Sequence, residues 1–343
     1  ATIRLGPGAP VNPGVFGVND THADADLLET KPSFRGLLRA LGARHVRYIG
    51  GSPSSFWDWE TGHYIPRDEI TRIWPAEHNN WMILLVEKTN ALPDGTLGPK
   101  AFAEFAGAVG AEVQWLTNMT TRAEDMPAFF EHLRDNDVPV RFVEMDNETY
   151  FWGGEFGGEE RGERYATRVD ALSPVIRDLF PEARIGIVAA EDDFFTADHK
   201  RSEPSIAAWN GHITKPEHRP HYDAFVLHPY VMQRGRLDAF GDEASRRQAF
   251  LALPQVTLER GARLIAERYG PVPMWITEYN VIGYYGPKSG DSESDKWFQA
   301  TRDTPWNALY QAGFWLTGLA RPDAIEILNH HSVTNLDYGW GLG

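Results

Sequence analysis

Short apolar runs rich in Val, Ile, Phe and Tyr alternate with amphipathic stretches along the whole chain. Eight runs have the length and composition of strands: Val15–Asn19, His45–Ile49, Glu112–Thr117, Val140–Glu144, Arg184–Ala189, Ala224–His228, Met274–Thr277 and Ile325–Asn329. Between most of them apolar positions recur at helical spacing. Phe34–Leu41 stops at Gly42 and Lys100–Val109 at Gly110, and glycine ends helices because it takes a left-handed backbone freely. Met126–Asn136, Glu163–Leu179, Arg246–Tyr269 and Trp306–Leu319 fill further slots. Strands alternating with helices imply a parallel sheet buried on both faces. Eight such units predict an α/β fold, a (β/α)8 TIM barrel forming a single domain over residues 1–343.

Two irregularities interrupt the rhythm. The stretch Phe56–Asp94 is long and aromatic, with a second apolar run at Trp81–Val86, and reads as an insertion after strand two that contains a hairpin flanking a cleft. After strand eight the chain runs only to Gly343 without a further helical pattern. This is expected either of a barrel closed in another way or of a C-terminally truncated chain.

Composition narrows the function. With 48 acidic against 33 basic side chains the formal net charge is -15, which argues against a nucleic-acid partner, since such binders carry a basic face. No apolar run approaches the ~18 residues of a membrane span. Zero cysteines exclude disulfides, thiolate metal sites and cysteine nucleophiles together. The chain starts at Ala1 without Met and shows no signal peptide. That fits a processed secreted or periplasmic protein, and equally a trimmed one, so a cytoplasmic location stays open.

Polar residues collect at the predicted strand ends: Asn19-Asp20, Arg47 through Ser52, Asn118, Asp146-Asn147-Glu148, Glu191-Asp192-Asp193, His228-Pro229-Tyr230, Glu278-Tyr279-Asn280 and His330-His331. The C-terminal ends of barrel strands form the active face, so eight polar endings in register imply one lined pocket. Two carboxylates stand out. Glu148 closes Arg-Phe-Val-Glu-Met-Asp-Asn-Glu after strand four, and Glu278 closes Met-Trp-Ile-Thr-Glu on strand seven. A barrel brings both to one rim, and a pair of carboxyl groups is what glycoside hydrolysis requires. A separation of about 5–5.5 Å gives a retaining mechanism and about 6.5–9.5 Å an inverting one.

These segments resemble the clan A glycoside hydrolases, retaining (β/α)8 enzymes with catalytic Glu residues after strands four and seven. Within the clan the likeness is greatest to the α-L-arabinofuranosidases. It is carried by Val46-Arg47-Tyr48-Ile49-Gly50-Gly51 with Phe56-Trp57-Asp58-Trp59-Glu60-Thr61-Gly62, by Phe102 through Asn118, and by Val143 through Glu148. The resemblance implies Glu148 as acid/base, Asn147 as a donor to the sugar 2-hydroxyl, and Glu278 in Ile-Thr-Glu-Tyr-Asn as nucleophile. The chain departs from the family, which usually has Pro at the position of Ile49, Asn at Ser52 and Gly at Asp146, and carries a C-terminal β-sandwich.

Under this reading Glu148 is held protonated by burial and by the charge of Glu278. Tyr230 and Arg47 are expected beside Glu278, with His228 on substrate or on a carboxylate. Asn280 is expected at the substrate, and Trp57, Trp59 and Trp152 as sugar-stacking rings. The expectation is a hydrolase acting on polysaccharides or oligosaccharides, with no cofactor and no metal. Two rivals remain. A non-catalytic carbohydrate-binding barrel keeps the groove, although such a relative often loses one carboxylate. A metal-dependent barrel hydrolase has candidate ligands in His330-His331 and in Glu191-Asp192-Asp193 with Asp198 and His199, but lacks a His-x-His after strand one.

Overall fold

The computed structural model describes residues 11–19, 32–73, 86–87, 90–91, 93, 98–151, 158–191, 194, 204–230, 241–280 and 304–331. Among the described residues ten strands follow one another: β1 (Gly17–Asn19), β2 (His45–Tyr48), β3 (Trp57–Asp58), β4 (His63–Tyr64), β5 (Glu112–Leu116), β6 (Phe142–Met145), β7 (Arg184–Val188), β8 (Ala224–Leu227), β9 (Met274–Tyr279) and β10 (Ile325–His331). β1, β2 and β5 through β10 close into one parallel barrel, with β10 pairing back onto β1. Each predicted strand is one barrel strand, with ends moved by one or two residues. β3 and β4 pair antiparallel as a separate ribbon inside the stretch read as an insertion. Most of the Trp81–Val86 run lies outside the described residues.

The described helices are α1 (Pro32–Leu41), α2 (Arg67–Ile73), α3 (Pro99–Val109), α4 (Met126–Asp135), α5 (Arg161–Leu179), α6 (Pro204–Ile213), α7 (Glu243–Tyr269) and α8 (Pro305–Ala320). Local chemistry sets their ends. Gly110 closes α3 at φ 82, and its N–H bonds the carbonyls of Ala106 and Gly107. Asp242 caps α7 by accepting from Ser245 N–H, which starts that helix three residues before the apolar spacing does. α6 follows β7, where the pattern predicts no helix. Among the described residues no helix is long and apolar enough to cross a membrane.

The barrel interior has two storeys. At the N-terminal end Phe142, Ala224, Val226, Trp275 and Ile327 form a closed apolar cluster. Two residues beyond Phe142, Trp275 and Ile327 the interior turns polar with Glu144, Thr277 and Asn329, joined there by Arg47 of β2 and Gln114 of β5, all buried. Room for this comes from small residues. A Cβ on Gly17 would stand 1.8 Å from Asn329 Oδ1, and one on Gly186 would stand 2.5 Å from the Trp275 ring.

Candidate active site

Arg47 is the centre of the upper storey. It lies on β2, wholly buried. Its Nε and one terminal nitrogen donate to the two oxygens of Glu144, the other terminal nitrogen donates to Glu278 Oε1, and Nη2 also donates to Asn147 Oδ1 at 2.8 Å. Gln114 Nε2 and the Thr277 hydroxyl also donate to Glu144, at 2.9 and 3.2 Å, and Asn329 Nδ2 donates to Gln114 Oε1. Burial pushes the Glu144 carboxyl upward, but every partner around it donates, which is the arrangement of a carboxylate.

Glu278 reaches the cleft through an irregularity of β9. Against β10 the register shifts by one, so that Leu328 to His330 span Ile276 to Tyr279. The extra residue lets Thr277 and Glu278 turn to the same side, although they are neighbours in the chain, and bulges of this kind re-aim side chains at active sites. Glu278 Oε2 accepts from the Tyr230 hydroxyl at 2.6 Å. Burial alone would raise its carboxyl. The charges of His228, His331 and Arg47, with the Tyr230 bond, outweigh burial and hold it well below the usual carboxylate range. Glu278 is therefore ionised at neutral pH.

Glu148 sits differently. It follows β6 in a turn where Asp146 has φ 72 and Glu148 φ 45, left-handed values for non-glycine residues. Its side chain keeps 20% exposure, so burial does not enclose it as expected, and its Oε1 lies 3.0 Å from His228 Nδ1. His228 Nε2 stands 2.8 Å from Thr277 Oγ1. The Thr277 proton is directed to Glu144, so Nε2 must donate, and in the charged imidazole Nδ1 directs its proton at Glu148 Oε1. Burial opposes a charge on His228, yet Glu278 and Glu148 push its imidazole up to about 9. Glu278 Oε2 lies 3.9 Å from the same Nδ1, so both carboxylates bracket one nitrogen.

The Asn147 amide is fixed by Arg47, which can only donate, so Oδ1 faces the guanidinium and Nδ2 faces away. That Nδ2 is buried and has no partner among the described residues. An unfilled donor beside two carboxylates is a ready contact for a ligand hydroxyl.

The structure thus brings Arg47, Asn147, Glu148, His228, Tyr230 and Glu278 together. It places the other predicted residues elsewhere. Trp57 is 5% exposed, its edge against Tyr48 and Tyr64 and its indole N–H on the Tyr48 hydroxyl. Trp59 packs on Phe129 and His132 of α4. Trp57 is packed into the wall, and Trp59 is half-buried against α4. Asn280 is occupied, donating to the His331 carbonyl and accepting from Gln311. Trp152, Asp192, Asp193, Asp198 and His199 lie outside the described residues. The His330 and His331 imidazoles diverge. His331 Nδ1 is 2.7 Å from Asn19 Nδ2 and 3.7 Å from Glu278, whereas His330 packs edge-on against Tyr279 and burial pushes its imidazole down to about 3. Among the described residues one group could hold a metal: ligand atoms of Glu148, Glu191 and His228 lie within 4.8 Å of one another. Sequence reading missed Glu144, Gln114, Thr277 and Asn329. Their signal was polar residues at inward positions of strands that otherwise carry apolar ones.

No family model matches the chain, and no curated protein matches it in sequence. Solved structures share its fold. An α-L-arabinofuranosidase from Thermotoga maritima, in complex with arabinose, has TM-score 0.62 at 17% identity, over 97% of this chain and 66% of the other. A family 51 α-L-arabinofuranosidase from Bifidobacterium longum has TM-score 0.58 at 17% identity, over 95% and 68%. A bifunctional glucanase-xylanase from a metagenome library has TM-score 0.55 at 12% identity, over 96% and 74%. The chain spans about two thirds of the length of the arabinofuranosidases it matches. At these identities the likeness establishes the (β/α)8 barrel that clan A glycosidases use.

Proposed function

We propose that the protein is a retaining glycoside hydrolase of the clan A type, acting on an arabinofuranoside or a related plant or microbial saccharide. The observation that carries this is the asymmetry of two carboxylates on one rim: Glu278 is enclosed and held ionised by cations and Tyr230, while Glu148 meets the charged His228 at 3.0 Å and keeps part of its side chain in solvent. The closeness of both to one nitrogen supports the short spacing of a retaining enzyme. The neighbours with arabinofuranosidase, glucanase and xylanase activities support the substrate class.

In the first step a Glu278 oxygen attacks the anomeric carbon, the bond to the leaving oxygen breaks, and the proton held by the Glu148–His228 pair passes to that oxygen. In the second, Glu148 takes a proton from water as the water attacks the anomeric carbon, and the Glu278 ester breaks. Arg47 and Tyr230 bind Glu278 throughout and set its charge and direction. Asn147 Nδ2 meets the sugar hydroxyl next to the anomeric centre, a contact that strengthens as the transition state forms.

The test is a panel of aryl glycosides read by NMR for the anomer first released. Net retention is expected, with a 2-fluoro glycoside leaving a sugar ester on Glu278 by peptide mass spectrometry. An inverted product rejects the mechanism, and no hydrolysis of any member favours the non-catalytic binding barrel. The Glu148, Glu191 and His228 group favours a metal-dependent reading as the second possibility. Loss of activity in EDTA, restored by a divalent ion, would select it.

A further inference from the structure

Asp146 stands where glycine would be the unstrained choice, directly before the two residues that face the cleft, and it is wholly buried. Aspartate is one of the few non-glycine residues that visits the left-handed region, because its short side chain bonds locally. Glutamate has no such excuse, so the φ of 45 at Glu148 persists only if its surroundings over-determine it.

We propose that Asp146 is a positioning residue for Asn147 and Glu148, its carboxylate clamping the left-handed turn that presents both side chains to the cleft. The clamp has three arms. Oδ1 accepts from the Ser55 hydroxyl at 2.6 Å and from Asn147 N–H at 2.7 Å, and Oδ2 accepts from the Thr120 hydroxyl at 2.8 Å. Ser55 lies after β2 and Thr120 after β5, the two strands that precede β6 in the barrel wall. Each anchor is itself held. Thr121 Oγ1 donates to the Ser55 carbonyl, Arg168 of α5 donates to the Met119 and Thr120 carbonyls, and Tyr165 of α5 donates to the Met145 carbonyl just before the turn.

All of the named partners of Asp146 donate, so the site is built for a carboxylate. Burial pushes its carboxyl up to about 6, against the pull of the Ser55, Asn147 and Thr120 hydrogen bonds, and the group is ionised at neutral pH. A glycine would satisfy the backbone angle and tie nothing. The aspartate accepts the angle and fixes the turn to two neighbouring loops, so the acid/base and the amide donor move as one body with the barrel rim.

The inference rests on the glycosidase reading for what the turn presents, though not for the clamp itself. Two measurements on Asp146→Gly, Asp146→Ala and Asp146→Asn separate them. Hydrogen–deuterium exchange over the segment 145–151 is expected to quicken in Asp146→Gly and Asp146→Ala. It should stay slow in Asp146→Asn, whose amide oxygen still accepts from Asn147 N–H. Slow exchange in Asp146→Gly overturns the clamp. The kinetic arm uses the aryl glycoside the wild type cleaves best, as its phenyl and 2,4-dinitrophenyl forms. Misplacing Asn147 lowers kcat/KM on both forms, and misplacing the acid adds a further loss of about 10–100-fold on the phenyl form alone, since the dinitrophenyl form needs no proton. Equal losses on both, tracking the melting temperature, overturn the positioning role. A wild type inactive on every glycoside rejects the glycosidase reading and leaves the exchange result to decide the clamp.

Discussion

The floor and the mouth of the barrel are built from the same strands two residues apart, and they obey opposite rules. β6 gives Phe142 to the floor and Glu144 to the mouth, and β9 gives Trp275 to the floor and Thr277 with Glu278 to the mouth. The floor is apolar and closed, where removal of ring surface from water contributes stability roughly in proportion to area. The mouth buries a guanidinium with several imidazoles and carboxylates, whose mutual attraction has to offset heavy desolvation. The fold is secured at one end so that charges can be confined at the other.

The largest way to test that division is chemical. Glu278→Gln should lower turnover by about 10⁴-fold or more, with the melting temperature close to wild type, since Arg47 keeps Glu144. Calorimetry alongside kinetics checks it, and a variant that unfolds would show that the mouth carries the fold. Next come two losses of similar size but different kind. Trp275→Ala opens a cavity on the floor and should cost about 3–5 kcal/mol of stability in urea unfolding, with KM unchanged while folded. Arg47→Ala leaves Glu144 and Glu278 buried without the guanidinium that bridges them and should also cost about 3–5 kcal/mol, together with most of the activity. If Trp275→Ala alters KM, the two storeys are not independent.

A smaller effect concerns pH. His228 is raised from 6.5 to about 9, burial being outweighed by Glu278 and Glu148. A raised imidazole binds its proton more tightly folded than unfolded. Its contribution to stability is therefore complete below about pH 6.5 and is lost as pH rises through about 9. Unfolding measured from pH 6.5 to 10 should show this decline, and His228→Asn should flatten it. The smallest change is expected at Trp59→Ala, which removes packing on Phe129 and His132. A loss of about 1 kcal/mol with KM unaltered would place that ring in the wall, and a raised KM would return it to the cleft.

The barrel was legible in the sequence because eight apolar runs, spaced by helical patterns, leave little topological choice. What escaped has local causes. α6 was not predicted because Ile206, Ala207, Ala208 and Trp209 are consecutive rather than spaced on a stripe, and Asn210 and Gly211 are poor helix formers. α7 starts before its apolar spacing because a cap, not a stripe, sets its beginning. At the site, residues after strand ends were found by position alone, since the barrel sends them to one face. Glu144 and Thr277 were passed over because they close the predicted strands rather than follow them, and strict alternation cannot put Thr277 and Glu278 on one side. Trp57 misled because ring chemistry is the same in a wall as in a cleft, and only packing distinguishes them.

Gly186 has one more consequence. A side chain there would meet Trp275 at 2.5 Å and Val226 at 2.7 Å, so the indole reaches across β8 into space that β7 has vacated. The two positions form a single volume shared between β7 and β9. Among descendants of this chain, alanine or larger at 186 should be inherited only with a smaller residue at 275, and each change alone should be selected against.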